Sequence, residues 1–261
     1  MPPFLVVDAF TARPFAGNPA AVVFLEAARS DDWMQRVASE FNLSETAFVR
    51  PEGSGYSLRW FTPTTEVELC GHATLASAHA LWDSGRLEGE AVFDTLSGEL
   101  RCRRSDGGVA MDFPSNPPVA ADPPPALLRG LGLERAIWVG RCSFDYLVEL
   151  ATESEVAALA PDFDLLRSLK ARGVGVTAPS DSPDVDFVSR CFAPNAGVDE
   201  DPVTGSTHTM LGPHWAGKLN RDRVVGKQIS RRSGLVDVTV DGERVTLRGN
   251  AVTIARGELL A

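Results

Sequence analysis

The apolar positions of this chain fall into short runs. Phe4–Asp8 and Ala20–Phe24 suit strands, and between them lies the turn-rich stretch Thr11–Pro19, containing Phe15-Ala16-Gly17-Asn18-Pro19. Asp31 or Asp32 is placed to cap a helix reaching about Phe41, with Trp33, Met34, Val37 and Phe41 on one face. The polar break Asn42-Leu43-Ser44-Glu45-Thr46 precedes the apolar Ala47-Phe48-Val49, and Ser57–Phe61 alternates as a strand. Ala91–Thr95, Glu99–Arg103 and Val109–Phe113 are three further strand-like pieces. Pro114–Pro125 holds six prolines in twelve residues, which neither a helix nor a central strand tolerates, so it reads as a linker. Beyond it, Ala136–Val139, Phe144–Leu150, Val174–Ala178 and Asp186–Phe192 read as extended, and Glu153–Leu159 and Asp164–Ala171 as helical. Val224–Ser230, Val236–Val240, Arg244–Leu247 and Ala251–Ile254 complete the strands.

Two longer stretches stand apart. Glu68–Trp82 reads ELCGHATLASAHALW, and Asp199–Trp215 reads DEDPVTGSTHTMLGPHW. Each follows an extended run ending in Phe-x-Pro, passes through acidic residues, and reaches a glycine with a polar neighbour, Gly71-His72 or Gly205-Ser206. A run of Ala, Ser, Thr and Leu with almost no charge predicts a buried helix from each glycine. The first turn of such a helix carries free N–H groups and the positive end of the dipole, a seat for a carboxylate.

The landmarks repeat at a near-constant shift: Phe61 and Phe192 are 131 positions apart, Gly71 and Gly205 are 134, and Gly98 and Gly234 are 136. A repeat of this length predicts an α/β (α+β) fold of two pseudo-symmetric halves, 1–117 and 118–261. Each would be a bent, mostly antiparallel sheet or barrel around its central helix, with a cleft between them.

Composition narrows the function. The chain has 261 residues, 44% hydrophobic and 23% charged, as in an ordinary globular protein. Its formal charge of −10 repels nucleic acid and anionic membranes, so an anionic substrate must be held by local donors. No membrane-length apolar run or secretory signal is read, and reduced thiols in a cytoplasm are expected. Cys70, Cys102, Cys142 and Cys191, like the four histidines, lack metal-type spacing, and glycine patterns for nucleotides are missing. The expectation is no metal and no cofactor.

Among candidate chemical groups, Glu45 stands where Phe41, Phe48 and Trp60 would desolvate a carboxylate and make it a usable acid/base; the alternative is a solvated or capping glutamate. His72 would donate to a carboxylate or relay a proton, or be a satisfied half-buried histidine. Asp201 is either a second acid/base or the cap of the second central helix. Glu66, Glu68, Asp199 and Glu200 are expected to face solvent. Cys70, beside a helix N-terminus, has the setting of an activated thiol. Yet aligning Gly71 with Gly205 pairs it with Thr204, whose hydroxyl cannot be a second base at neutral pH. That disfavours a two-thiol racemase and leaves Cys70 as a small buried side chain.

The segments VDAFTARPFAGNPAAVVF (Val7–Phe24), LSETAFV (Leu43–Val49), FTPTTEVELCGHATLASA (Phe61–Ala78) and FAPNAGVDEDPVTGS (Phe192–Ser206) resemble the PhzF, or phenazine-biosynthesis-like, family. The likeness runs from about Phe4 to Trp215 and more weakly through Gln228–Val238. The ELCGHAT form is closer to the widespread members of uncertain substrate than to the phenazine-pathway isomerase. The resemblance implies a diaminopimelate-epimerase-like fold with the site in the cleft, and a homodimer. It also implies cofactor-free isomerisation of a small unsaturated or cyclic carboxylate such as dihydro-hydroxyanthranilate. It assigns the catalytic glutamate to Glu45, the site histidine to His72, and the site aspartate and serine to Asp201 and Ser206. The carboxylate would be held by Gly71, His72, Gly205 and Ser206. One departure is Ser233-Gly234, where related proteins tend to carry Gly-Gly. The alternatives are a small-carboxylate-binding protein without turnover and an amino-acid epimerase.

Overall fold

The computed structural model describes every residue except Gly107. In chain order the first elements are β1 (Pro3–Ala9), β2 (Asn18–Phe24), α1 (Asp31–Phe41), β3 (Glu45–Glu52), β4 (Gly55–Phe61), β5 (Glu66–Val67) and α2 (Gly71–Asp83). β6 (Ala91–Thr95), β7 (Gly98–Ser105), β8 (Gly108–Pro114), β9 (Val119–Ala120), α3 (Pro125–Gly130), β10 (Trp138–Arg141) and β11 (Asp145–Glu149) follow. Next come α4 (Glu153–Ala157), α5 (Phe163–Arg167), β12 (Gly173–Pro179), β13 (Phe187–Ala193), a 3-10 turn (Pro194–Ala196), β14 (Val198–Asp201) and α6 (Gly205–Leu219). The chain ends with β15 (Arg223–Gln228), β16 (Gly234–Asp241), β17 (Arg244–Gly249) and β18 (Ala251–Glu258). This is a mixed α+β fold in which strands predominate.

Two compact units divide the chain, Met1–Phe113 with Leu247–Ala261, and Pro114–Thr246. In the first, the ladder order is β18-β1-β2-β3-β4-β6-β7-β8, with β2–β3 and β4–β6 parallel and the other pairs antiparallel. In the second it runs β9-β10-β11-β12-β13-β15-β16, with β11–β12 and β13–β15 parallel and the rest antiparallel. Over seven strands, β18 to β7 in the first and β9 to β16 in the second, the two orders match in direction pair for pair. They differ in how the first edge is filled: β9 comes just before β10, whereas β18 returns from the chain's end to lie on β1. For that reason the units are not simple sequence halves, although the proline-rich segment does mark their first junction.

Each parallel pair needs a crossover, and helices supply all four. α1 joins β2 to β3 and α2 joins β4 to β6; α4 and α5 join β11 to β12, and α6 joins β13 to β15. α1 is an ordinary amphipathic helix, burying Met34, Val37 and Ala38. Its cap is Ser30, whose side chain accepts from the Trp33 N–H, and not Asp31 or Asp32, which occupy its first turn. α2 is different: within Gly71–Trp82 only His79 is not buried. It packs on β1, β2, β3, β7 and β18, so the sheet of the first unit wraps around it. α6 packs on β15 and β16, and tolerates Pro213 in its interior.

One repeated device went unread in the sequence. Arg59 bonds both Glu66 carboxylate oxygens, at 2.6 and 2.7 Å, while stacking 5.2 Å over Phe61. Arg190 bonds both Glu200 oxygens at 2.8 Å and stacks 4.9 Å over Phe192. A planar guanidinium suits this double contact better than an ammonium. Glu66 and Glu200 are therefore paired and partly covered, contrary to the expectation that they face solvent. Asp199 is paired too, with Arg167 at 2.7 Å. Ser233 sits at φ 59, the left-handed conformation that glycine adopts without strain.

α6 also buries His208 completely. Its Nδ1–H donates to the Thr204 carbonyl at 2.8 Å, and its Nε2 finds no partner among the described residues. Burial depresses its pKa to about 4, although the Thr204 bond works the other way. An unfolded histidine protonates near pH 6.5, so between pH 6.5 and about 4 the unfolded chain binds the extra proton and stability falls with falling pH. The expected loss is roughly 3 kcal/mol across that window. Urea unfolding at pH 7 and 4 checks it: His208→Gln should flatten the decline, and an unchanged decline would place its origin elsewhere.

Candidate active site

Each unit has its own cluster of candidate side chains. In the first, Glu45 opens β3, opposite Ala20 in the parallel β2–β3 ladder. It is thus a strand residue, where the sequence suggested a loop. Asn18 opens β2, and Cys70 and His72 flank the start of α2. His72 Nε2 lies 3.1 Å from Glu45 Oε2, with side-chain exposures of 4% and 14%. On the other side of the ring, Nδ1 is 3.0 Å from Asn18 Nδ2 and 3.5 Å from Cys70 Sγ.

Burial works against a charged His72, but the Cys70 sulfur and the Glu45 carboxylate outweigh it and raise its pKa well above the ordinary value. Burial first, and Glu45 second, push the Cys70 thiol upward, so this cysteine is held as a thiol rather than activated by its helix. Cys70 caps α2 without offering a side-chain acceptor, and Thr204 does the same for α6. Both helix starts therefore keep first-turn N–H groups without a side-chain cap, as an anion seat requires.

Glu45, Cys70 and His72 also form a group that could hold an ion: one donor atom from each lies within 4.8 Å of the others. Their donor types suit zinc. Both ring nitrogens of His72 nevertheless already face a protein partner, Asn18 or Glu45.

In the second unit, Asp201 ends β14 and its Oδ2 accepts a short bond from the Thr204 hydroxyl. Asp201 is not the cap of α6; it lies one turn before it. Gln228, fully buried, ties the segment together: its Nε2 donates to the Asp201 carbonyl at 2.6 Å and its Oε1 accepts from the Thr204 N–H at 2.9 Å. Ser206 Oγ accepts from Arg172 Nη2 at 3.0 Å, and Arg172 is also bonded to both oxygens of the buried Asp145. Sequence reasoning missed Arg172, Asp145 and Gln228, since none carries a local signature. It also missed a buried charge group: Glu149, against His214 at 2.8 Å and Lys218. Burial opposes the Glu149 charge, yet bonds from His214 and Lys218 hold its pKa below the usual range.

The two units are not chemically equivalent. Thr46 faces Phe61 in one ladder and Val174 faces Phe192 in the other. By that register the place of Glu45 is taken in the second unit by Gly173, where an added Cβ would lie 2.9 Å from the Phe192 carbonyl oxygen. A largely covered carboxylate against an imidazole, on one unit of a duplicated fold, has the makings of an acid/base site. The chain belongs to the PhzC-PhzF family, phenazine biosynthesis-like protein, whose model matches residues 7–257. An uncharacterized isomerase of Halalkalibacterium halodurans is 51% identical, covering 99% of this chain and 98% of its own. The crystal structure of a PhzF-family protein from Enterococcus faecalis superposes with a TM-score of 0.94 at 40% identity, covering 100% of this chain and 99% of that one. A hydroxyproline epimerase of Agrobacterium vitis shares the fold alone, with a TM-score of 0.59 at 12% identity over 98% and 91% of the two chains. No helix among the described residues is long and apolar enough to cross a membrane.

The raised thiols give a direct check. Cys70, Cys102 and Cys191 are buried, and burial pushes each thiol upward, Cys191 to about 12. Cys142 is the less buried one. Brief iodoacetamide treatment of the folded protein near pH 7, mapped by mass spectrometry, should label Cys142 first. Fast labelling of Cys70 would reveal a thiolate instead.

Proposed function

We propose that this protein is a cofactor-independent isomerase in which Glu45 moves a proton between two positions of a small unsaturated or cyclic carboxylate. The observation that carries the reading is the buried Glu45–His72 contact at 3.1 Å. The Glu45 side chain is 14% exposed, and its Oε2 faces His72 Nε2. In this role Glu45 takes the proton from carbon and returns it elsewhere on the same π-system. His72, against Glu45, tunes it.

The substrate carboxylate is assigned to the first-turn N–H groups at Gly71 and His72, and to Gly205 and Ser206 of α6 with the Ser206 hydroxyl. Asp201 orients the substrate's polar group. The family relationship supports the isomerase reading, and a dihydro-hydroxyanthranilate-like substrate, a homodimer and a cytoplasmic setting belong to the same proposal.

The epimerase reading is weaker for a reason internal to the fold. A two-base racemase needs a second base, and the second unit offers Gly173 at the Glu45 position and Thr204 at the Cys70 position. A binding protein without turnover would keep the helix starts but have no use for a carboxylate held on an imidazole.

Solvent-deuterium incorporation tests the proposal. The protein and its Glu45→Gln variant are incubated in D₂O with small carboxylates including dihydro-hydroxyanthranilate, and the products are read by mass spectrometry. Uptake should fall by about 10²–10⁴-fold in the variant. Near-native uptake in Glu45→Gln would move the base elsewhere. Ligand-induced thermal stabilisation without any uptake would favour the binding protein.

A further inference from the structure

Arg172 is the counter-ion of the buried Asp145, whose side chain is 5% exposed and requires a cation. Its Nε and Nη2 occupy both Asp145 oxygens, a double contact that one edge of a planar guanidinium supplies. Nη2 also donates to Ser206 Oγ at 3.0 Å, a third bond that the ion pair does not call for. The backbone sets this geometry. The Arg172 N–H donates to the Phe144 carbonyl at 2.7 Å, and Asp145 faces Gly173 in the parallel β11–β12 ladder.

The first unit uses the same place differently. His72 and Ser206 are each the second residue of a buried helix. His72 meets a carboxylate from the first residue of β3, whereas Ser206 meets a guanidinium from the residue just before β12.

Arginine carries only donors, so Ser206 Oγ is the acceptor, with no choice of rotamer or tautomer involved. Its own hydrogen then points away from Arg172. Other hydroxyls of the two central helices turn that hydrogen back on the helix: Thr74, Ser77 and Thr209 donate to the Cys70, Ala73 and Ser206 carbonyls at 2.6, 2.7 and 2.7 Å. The Thr204 hydroxyl is committed to Asp201. The Ser206 hydroxyl donates to no group among the described residues. It is a spare donor, polarised by a neighbouring cation, beside first-turn N–H groups that α6 leaves without a side-chain cap.

We propose that Arg172 is a positioning residue: by donating to Ser206 Oγ it makes the serine hydroxyl a fixed donor to the substrate's carboxylate. The proposal rests on the assignment of that carboxylate to the start of α6. Without Arg172 the hydroxyl hydrogen is free to turn back onto the helix backbone, as serine and threonine do elsewhere in these helices.

The test is a double-mutant cycle read by calorimetric binding of anthranilate, a small cyclic carboxylate, with melting temperatures taken alongside. Arg172→Met/Asp145→Leu removes the guanidinium without leaving an unpaired buried charge. Ser206→Ala removes the hydroxyl, and a third variant combines all three changes. Each of the first two should weaken binding about tenfold, the worth of one hydrogen bond to a charged group. The combined variant should lose no more than either, because Arg172 acts through Ser206. A purely structural effect of the Arg172 change would instead add to that of Ser206→Ala. Arg172→Lys keeps a cation for Asp145 should the apolar pair fail to fold, and should lose most of the same affinity for want of the fork.

Full affinity in Arg172→Met/Asp145→Leu or in Arg172→Lys would overturn the proposal, as would losses that multiply in the combined variant. Absence of anthranilate binding in the unmodified protein would overturn the carboxylate seat itself. Glu45 takes no part in this measurement. Failure of its assignment would show as deuterium uptake surviving in Glu45→Gln while the cycle stayed as expected.

Discussion

Each unit is built around a helix with almost no polar face. α2 is buried on all sides over Gly71–Ala78, and such a helix can satisfy its side chains only with alkyl contacts or with its own backbone. Thr74 and Ser77 do the latter, donating to the Cys70 and Ala73 carbonyls at 2.6 and 2.7 Å. What cannot be satisfied that way is the first turn, whose N–H groups point out of the helix end. The sheet must leave that end open or supply a partner. Here the caps are Cys70 and Thr204, neither of which donates a side-chain acceptor. The buried helix thus leaves its first turn without a side-chain cap, and the strand ends around it determine which side chains lie beside that turn.

The position of Glu45 is a product of register. Parallel pairing of β2 with β3 sets Glu45 opposite Ala20, and antiparallel pairing of β1 with β2 sets Asn18 opposite Ala9. A slip of one residue in either ladder would turn the side chain to the other face of the sheet. The Arg59–Glu66 contact stiffens the same sheet on β4 and β5. Arg190 and Glu200 repeat it on β13 and β14, so this brace belongs to the architecture rather than to the chemistry.

Much of this was legible in the sequence because the signals were local or repeated. The uncharged helices, their starting glycines and the spacing of the Phe-x-Pro pairs predicted α2, α6 and the duplication. The Ser-Glu-Thr and Gly-His segments pointed to Glu45 and His72, which the structure brings together. Three things were not legible. The return of β18 onto β1 is a pairing across the whole chain, and no local pattern encodes it. Arg172, Asp145 and Gln228 acquire their roles only when β11, β12, β15 and α6 meet. Ser30 caps α1 in place of the two aspartates because capping depends on the backbone angle, φ −69 and ψ 152 at Ser30, and not on acidity. The motif Arg-x-Phe-x-Pro, present at Arg59 and Arg190, was visible as a repeat and its arginine could have been read with its phenylalanine.

Duplication also explains how one fold accommodates different proton-transfer enzymes. A symmetric pair of units can place equivalent groups at equivalent positions, which suits a racemase working with two bases. In this chain the equivalence is broken at the two positions that matter. Glu45 corresponds to Gly173, a site with no room for a side chain because the Phe192 carbonyl occupies it. Cys70 corresponds to Thr204, whose hydroxyl is committed to Asp201. The second unit has instead elaborated a cation, Arg172, held by Asp145 and reaching Ser206. The two units thus differ in chemistry, with a carboxylate against an imidazole in the first and a guanidinium held by a carboxylate in the second. A two-base racemase built on this duplication would find no counterpart of Glu45 or Cys70 in the second unit.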